Sequence, residues 1–141
     1  MRSLFYSLFG LSLAFSSTAT ADDFAEPEAA VQAYITGVST GSGAHIEQAF
    51  AEGAMIQYYN PEEEYRRYTR AEFAELVDTG NTWDAEISIT HMLRTGKAAN
   101  ATVEFIWGEG RQHGYVDYLN LIHAEGSWRI TNKVAQYVKR D

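Results

Sequence analysis

The chain has 141 residues, no cysteine, 11 Lys plus Arg against 19 Asp plus Glu, and two prolines, which fits one domain with an acidic surface and disfavours nucleic acid as a partner. A hydrophobic share of 45% with 13% aromatics suffices for a folded core and is too high for a disordered chain. Without cysteine there can be no disulfide, iron–sulfur cluster, thiolate zinc site or thiol nucleophile.

Residues 1–21 read as a secretory signal peptide: Arg2 supplies a basic start, Leu4 to Phe15 is mostly apolar, and Ala19-Thr20-Ala21 is a small-x-small cleavage site before Asp22. The apolar run is broken by Ser7 and Ser12 and falls short of the roughly 20 residues a membrane span needs. With no cysteine after it, a lipid-anchored form is excluded. Cleavage after Ala21 leaves 10 basic and 19 acidic residues, a net charge of −9, so anionic membranes are poor partners for the mature chain. The expected location is secreted or periplasmic, with residues 22–141 as a single domain.

From Pro27, the residues Val31, Tyr34, Ile35 and Val38 recur at helical spacing and Gly41 follows the end. Ile46, Ala49 and Phe50 predict a short second helix ending before Gly53. Ala54 to Tyr59 and Tyr65 to Tyr68 read as strands around an Asn60-Pro61-Glu62-Glu63 turn. Thr69 with Glu72 suits a capping box for a third helix, whose apolar face is Phe73, Leu76 and Val77. Four long strands follow, 83–93, 98–107, 112–123 and 127–138, joined by glycine-bearing turns. Helices first and a long twisted antiparallel sheet afterwards predict an α+β domain with the helices on one face of the sheet.

Alternation along those strands predicts which side chains meet. His91 falls on the face of Trp83, Ala85, Ile87, Ile89 and Leu93, and Val103, Phe105 and Trp107 share a face of the next strand. Pairing the last two strands around Glu125-Gly126 groups Asp117, Leu119 and Leu121 with Trp128, Ile130 and Asn132. His91, Asp117 and Asn132 are then polar groups in an apolar interior, with Tyr34 entering from the first helix. The functional reading makes Asp117 orient His91 as a general acid or base, while Tyr34 and Asn132 hydrogen-bond a ligand lined by Phe105, Trp107 and Trp128. The plainer reading makes His91 a satisfied core residue and Asp117 a tie between strands. A slip of one residue would send the polar set to the opposite face.

Other constellations fail. The four histidines have no metal-ligand spacing, and Gly41-Ser42-Gly43 and Gly108-Glu109-Gly110 lack the rest of a phosphate loop. No metal or other cofactor is expected. Glu62-Glu63-Glu64 before Arg66-Arg67 reads as a solvated hairpin tip, and Asn100-Ala101-Thr102 as a chance glycosylation match. The outer sheet face would carry Met92, Ile106, Val116, Tyr118, Asn120 and Ile122 among Thr90, Thr102, Thr131 and Lys133, apolar enough to suit a homodimer.

The element order resembles the nuclear transport factor 2-like (NTF2-like) cone. The segments 117–121 and 126–134, together with the first helix, Ala49-Phe50 and Trp83, resemble the bacterial branch designated putative lumazine-binding, or SnoaL-like. The resemblance implies a long curved sheet wrapped around three N-terminal helices, a cone-shaped cavity and a dimer. The superfamily's steroid isomerases also carry a first-helix tyrosine and an aspartate on the penultimate strand, matched by Tyr34 and Asp117. Their carboxylate base on the first strand has no counterpart in Ala54-Met55-Ile56-Gln57-Tyr58-Tyr59. The expectation is an exported domain binding a small apolar or aromatic molecule. The alternatives are a His-Asp acid/base enzyme of isomerase, cyclase, dehydratase or hydrolase type, and a dimeric structural module.

Overall fold

The computed structural model describes residues 23–141; the proposed leader lies outside them. Helix α1 (Pro27–Thr40) begins with proline at its first turn, where the missing N–H costs nothing, and Glu28 there suits the helix dipole. It stops at Gly41, at φ 69°, where an added Cβ would also come within 2.6 Å of the Asn81 nitrogen. After helix α2 (Gly43–Ala49) the chain enters strand β1 (Phe50–Tyr59) at once. Phe50 therefore opens a strand, where helical spacing had placed it on the second helix. Strand β2 (Tyr65–Thr69) returns beside β1, and Thr69 then caps helix α3 (Arg70–Val77) by accepting the Glu72 N–H at 3.3 Å.

Strands β3 (Glu86–Thr95), β4 (Ala98–Trp107), β5 (His113–Ala124) and β6 (Ser127–Lys139) complete one six-stranded sheet in the order β2-β1-β6-β5-β4-β3. This is the α+β cone expected, with one pairing that local pattern did not give: β1 runs parallel to β6, so the first strand lies against the last. Trp83 precedes β3. Its N–H donates to the Ser39 carbonyl at 2.9 Å, and Gly80 donates to that of Gly41 at 2.9 Å, tying the segment after α3 to the end of α1.

The core sits between the helices and the inner sheet face, with Val31 and Tyr34 of α1, Ile46 of α2 and Phe73 of α3 against Val103, Leu119 and Ile130. Two one-residue bulges decide what else reaches it. On β3 the pairing passes from Ile89 opposite Val103 to His91 opposite Thr102, leaving Thr90 as the extra residue. On β6, Ile130 faces Leu121 and Asn132 faces Asn120, leaving Thr131 as the extra residue. Each bulge inverts the alternation beyond it. His91 is accordingly exposed and Met92 packs on the core; Asn132 leaves the interior and Lys133 enters it, buried, opposite Leu119. The expected inward positions of His91 and Asn132, and the outward ones of Met92 and Lys133, are corrected for this one reason.

Candidate functional site

Two inward-facing rungs of the sheet, separated by one outward-facing rung, build the floor of the site. One carries Ile89, Val103, Asp117, Ala135 and Tyr58; the other carries Met92, Ala101, Leu119, Lys133 and Ile56. Asp117 is 1% exposed and Lys133 7%. Tyr34, two turns into the helix that begins at Pro27, brings its hydroxyl onto this floor and donates to Asp117 Oδ2. Lys133 Nζ lies 3.4 Å from the same oxygen. The ammonium is also 4.8 Å from the ring centre of Phe73, 5.2 Å from Tyr34 and 5.4 Å from Tyr58, within the range of cation–π attraction. Asp117 Oδ1 is buried with no hydrogen-bond partner among the described residues.

Burial sets the electrostatics. It raises the Asp117 carboxyl above its ordinary value, against the opposing pull of Lys133 and the Tyr34 hydrogen bond. It also holds Tyr34 well above the usual phenol range, reinforced by the Asp117 charge, so this hydroxyl remains a donor at neutral pH. Tyr115 is pushed up to about 12 by burial, then by Asp117 and Glu62. Tyr58 is raised by burial and by its neighbour Tyr68.

Above this floor lies a cavity of about 360 Å³, at the small end of the roughly 300–1,000 Å³ of ligand pockets. Tyr34, Phe73, Trp83, Phe105, Tyr58 and Tyr115 form its aromatic wall, and Asp117 and Lys133 both open onto it. Trp83 stacks on Phe105 at 5.3 Å and meets Trp107 edge-on at 5.0 Å. The rim is Gly41, Thr79, Asn81 and Thr82, the segment that the α1 end holds in place.

Of the residues expected to line the cavity, Tyr34, Phe105 and Asp117 do so. Trp107 stands behind Trp83 in a second stack with Tyr115 and His113. Trp128 is buried at the far end of β6, under Arg94 at 5.0 Å, with its backbone N–H donated to the Phe24 carbonyl at 3.0 Å. Asn132 and His91 are off the inner face, so the expected His91–Asp117 pair does not form. The residue that alternation missed is Lys133. A buried aspartate demands a compensating charge, and Lys133 on the neighbouring strand is the cation that meets it. Among the described residues there is no group of three or more His, Asp or Glu side chains able to hold a metal, and no helix long and apolar enough to cross a membrane.

Several solved structures share this architecture. An NTF2-like protein of unknown function from Shewanella baltica has 17% identity and a TM-score of 0.69 over 81% of this chain and 92% of its own. One from Silicibacter pomeroyi has 25% identity and a TM-score of 0.67, over 78% and 91%. A ketosteroid isomerase-like protein from Erwinia carotovora atroseptica has 15% identity and a TM-score of 0.63, over 80% and 94%. No curated protein matches the sequence significantly. Residues 22–136 match the family profile described as "Putative lumazine-binding", and with the NTF2-like cone around its cavity the chain belongs to that family.

Proposed function

We propose that the protein binds a small, flat, largely apolar molecule in its cone and performs no turnover on it. The observation that carries this reading is the aromatic-walled cavity of about 360 Å³ with its charged pair sunk into the floor. Aromatic side chains give a flat ligand stacking area, and few convergent polar groups fix its orientation. The family's designation also suggests small-molecule binding. The test is isothermal titration with quinoline and naphthalene on the protein and on Leu76→Trp. Leu76 lines the cavity yet is half exposed, so the larger ring fills the space at little cost to the core. Both probes should bind, and the substitution should weaken them; no binding, or binding indifferent to Leu76→Trp, defeats the reading.

An acid/base enzyme is the second reading. Without His91 it rests on Asp117, whose raised pKa beside a cavity suits proton exchange with a bound substrate. Turnover abolished by Asp117→Asn with ligand binding retained is the result that favours it.

The reading also takes the domain to act after export, with residues 1–21 as its leader, and as a homodimer. Leu93, Tyr118, Ile122 and Val134 are exposed on the outer sheet face, at 57%, 59%, 39% and 48%. Tyr118 and Val134 are direct partners across β5 and β6, with Thr102 and His91 extending their rung. A flat apolar strip of this kind suits a two-fold sheet contact. Sedimentation of the wild type against Tyr118→Arg checks it: a dimer that the substitution splits is expected, and a wild-type monomer rules it out.

A further inference from the structure

The chain has three lysines. Lys97 and Lys139 are exposed, and Lys133 alone is carried inward, among the lining residues of the cavity. Its neighbour Asp117 is 1% exposed and closed off, whereas the Lys133 side chain keeps 9% of its surface. The rings around its nitrogen, Phe73, Tyr34 and Tyr58, all line the same cavity. A buried ion pair is ordinarily served by arginine, whose fork holds a carboxylate at two points and which stays protonated. Here the cation is the one that can give up a proton and become a nucleophile.

We propose that Lys133 takes an apolar aldehyde or ketone from the cavity and holds it reversibly as a protonated imine. The proposal rests on the cavity-binding reading and names a ligand class that the shape of the cavity alone does not select. The amine nitrogen bonds to the carbonyl carbon. Of the ammonium's three protons, two leave with the carbonyl oxygen as water and the third stays on nitrogen. Asp117 Oδ2, 3.4 Å from Nζ, takes one proton to free the nitrogen lone pair and returns it as water departs. Charge favours the product. The protonated imine carries the same single charge on the same nitrogen as the ammonium, so Asp117 remains its counter-ion and no new buried charge is created. Phe73, Tyr34 and Tyr58, with ring centres 4.8, 5.2 and 5.4 Å from that nitrogen, attract the new cation as they attract the old. The one N–H left on nitrogen suffices for the contact with Oδ2. Water, the reagent of the reverse reaction, has little access to a side chain 9% exposed, which prolongs the adduct.

The test incubates the folded protein at neutral pH with 2-naphthaldehyde and cyanoborohydride, which reduces an imine to a permanent amine, and maps the label by peptide mass. Lys133 should be labelled about 10-fold or more faster than Lys97 and Lys139, because a carbonyl bound beside its amine meets it far more often than one in solution. Excess naphthalene should slow the labelling of Lys133 and leave that of the two exposed lysines as it was. Lys133→Arg keeps a charge opposite Asp117 and forms no imine, so it should lose the fast label and keep the two slow ones. Lys133 labelled no faster than Lys97 and Lys139, while naphthalene binds calorimetrically, would overturn the proposal and leave the cavity reading intact. Fast labelling that naphthalene fails to slow would overturn it too, since the carbonyl compound would then react outside the cavity. Naphthalene that does not bind at all removes the cavity reading itself, and the proposal with it.

Discussion

The two ends of the cone are made from the same strands and have been filled in opposite ways. At the Trp128 end, Trp128, Ile130 and Leu121 pack solidly with Val31 and Ile46, and the segment at Phe24 is tied on by its backbone. At the other end, the same β5 and β6 carry Asp117 and Lys133, and the helices stand off behind a wall of rings. The difference shows where stability and recognition have been separated. One end gains from burying apolar surface, and the other keeps a costly charge pair that a well-packed apolar pair would equal in stability.

The largest expected effect tests the filled end. Trp128→Ala should cost about 3–5 kcal/mol of unfolding free energy, read from urea denaturation, while quinoline affinity of the folded fraction stays unchanged. Loss of binding at full stability would mean that the two ends are not separable. Next comes the charged end: Lys133→Met strands Asp117 and should cost about 3 kcal/mol. The double variant Asp117→Asn/Lys133→Met should recover most of that loss. A double variant as unstable as the single one would show that Lys133 contributes packing rather than compensation.

The pH dependence sharpens the same contrast. Burial raises Asp117 above its ordinary 3.8 in the folded state, so between 3.8 and the raised value the folded chain holds a proton that the unfolded chain has released. Stability from this group is full below 3.8 and is lost as pH rises through the folded value. The stability difference between wild type and Asp117→Asn should therefore shrink as pH rises across the acid range. A difference that grows with pH would put the attraction of Lys133 ahead of burial. The smallest effect is expected at the hairpin tip, where Arg66 pairs with Glu64 and both side chains are about half exposed. Arg66→Ala should change stability by less than about 0.5 kcal/mol, since solvent screens such pairs.

Much of this architecture is legible residue by residue. Pro27, the 31-34-35-38 spacing and Gly41 mark α1 because capping and periodicity are local, and Tyr34, Phe105 and Asp117 reach the cavity as their positions predict. His91, Asn132 and Lys133 do not follow, because alternation counts residues while the sheet counts hydrogen bonds. Thr90 and Thr131, the bulged residues, are ordinary β-branched strand residues, so nothing marks the extra position. Phe50 was misplaced because an apolar residue at a helix end fits the start of a strand equally well. The parallel union of β1 and β6 leaves no trace in either segment, since its partners lie far apart in the chain.

That union bears on how the molecule comes into being. Residues near 55 find their neighbours only when residues near 132 exist, and the second group also carries Lys133, the counter-charge of Asp117. Contacts of such long sequence separation form slowly, because loop closure must precede any gain from the contact. Without β6, β1 and β5 would each present an open edge and Asp117 would lack its counter-charge. The binding chamber is thus complete only once β6 is seated between β1 and β5.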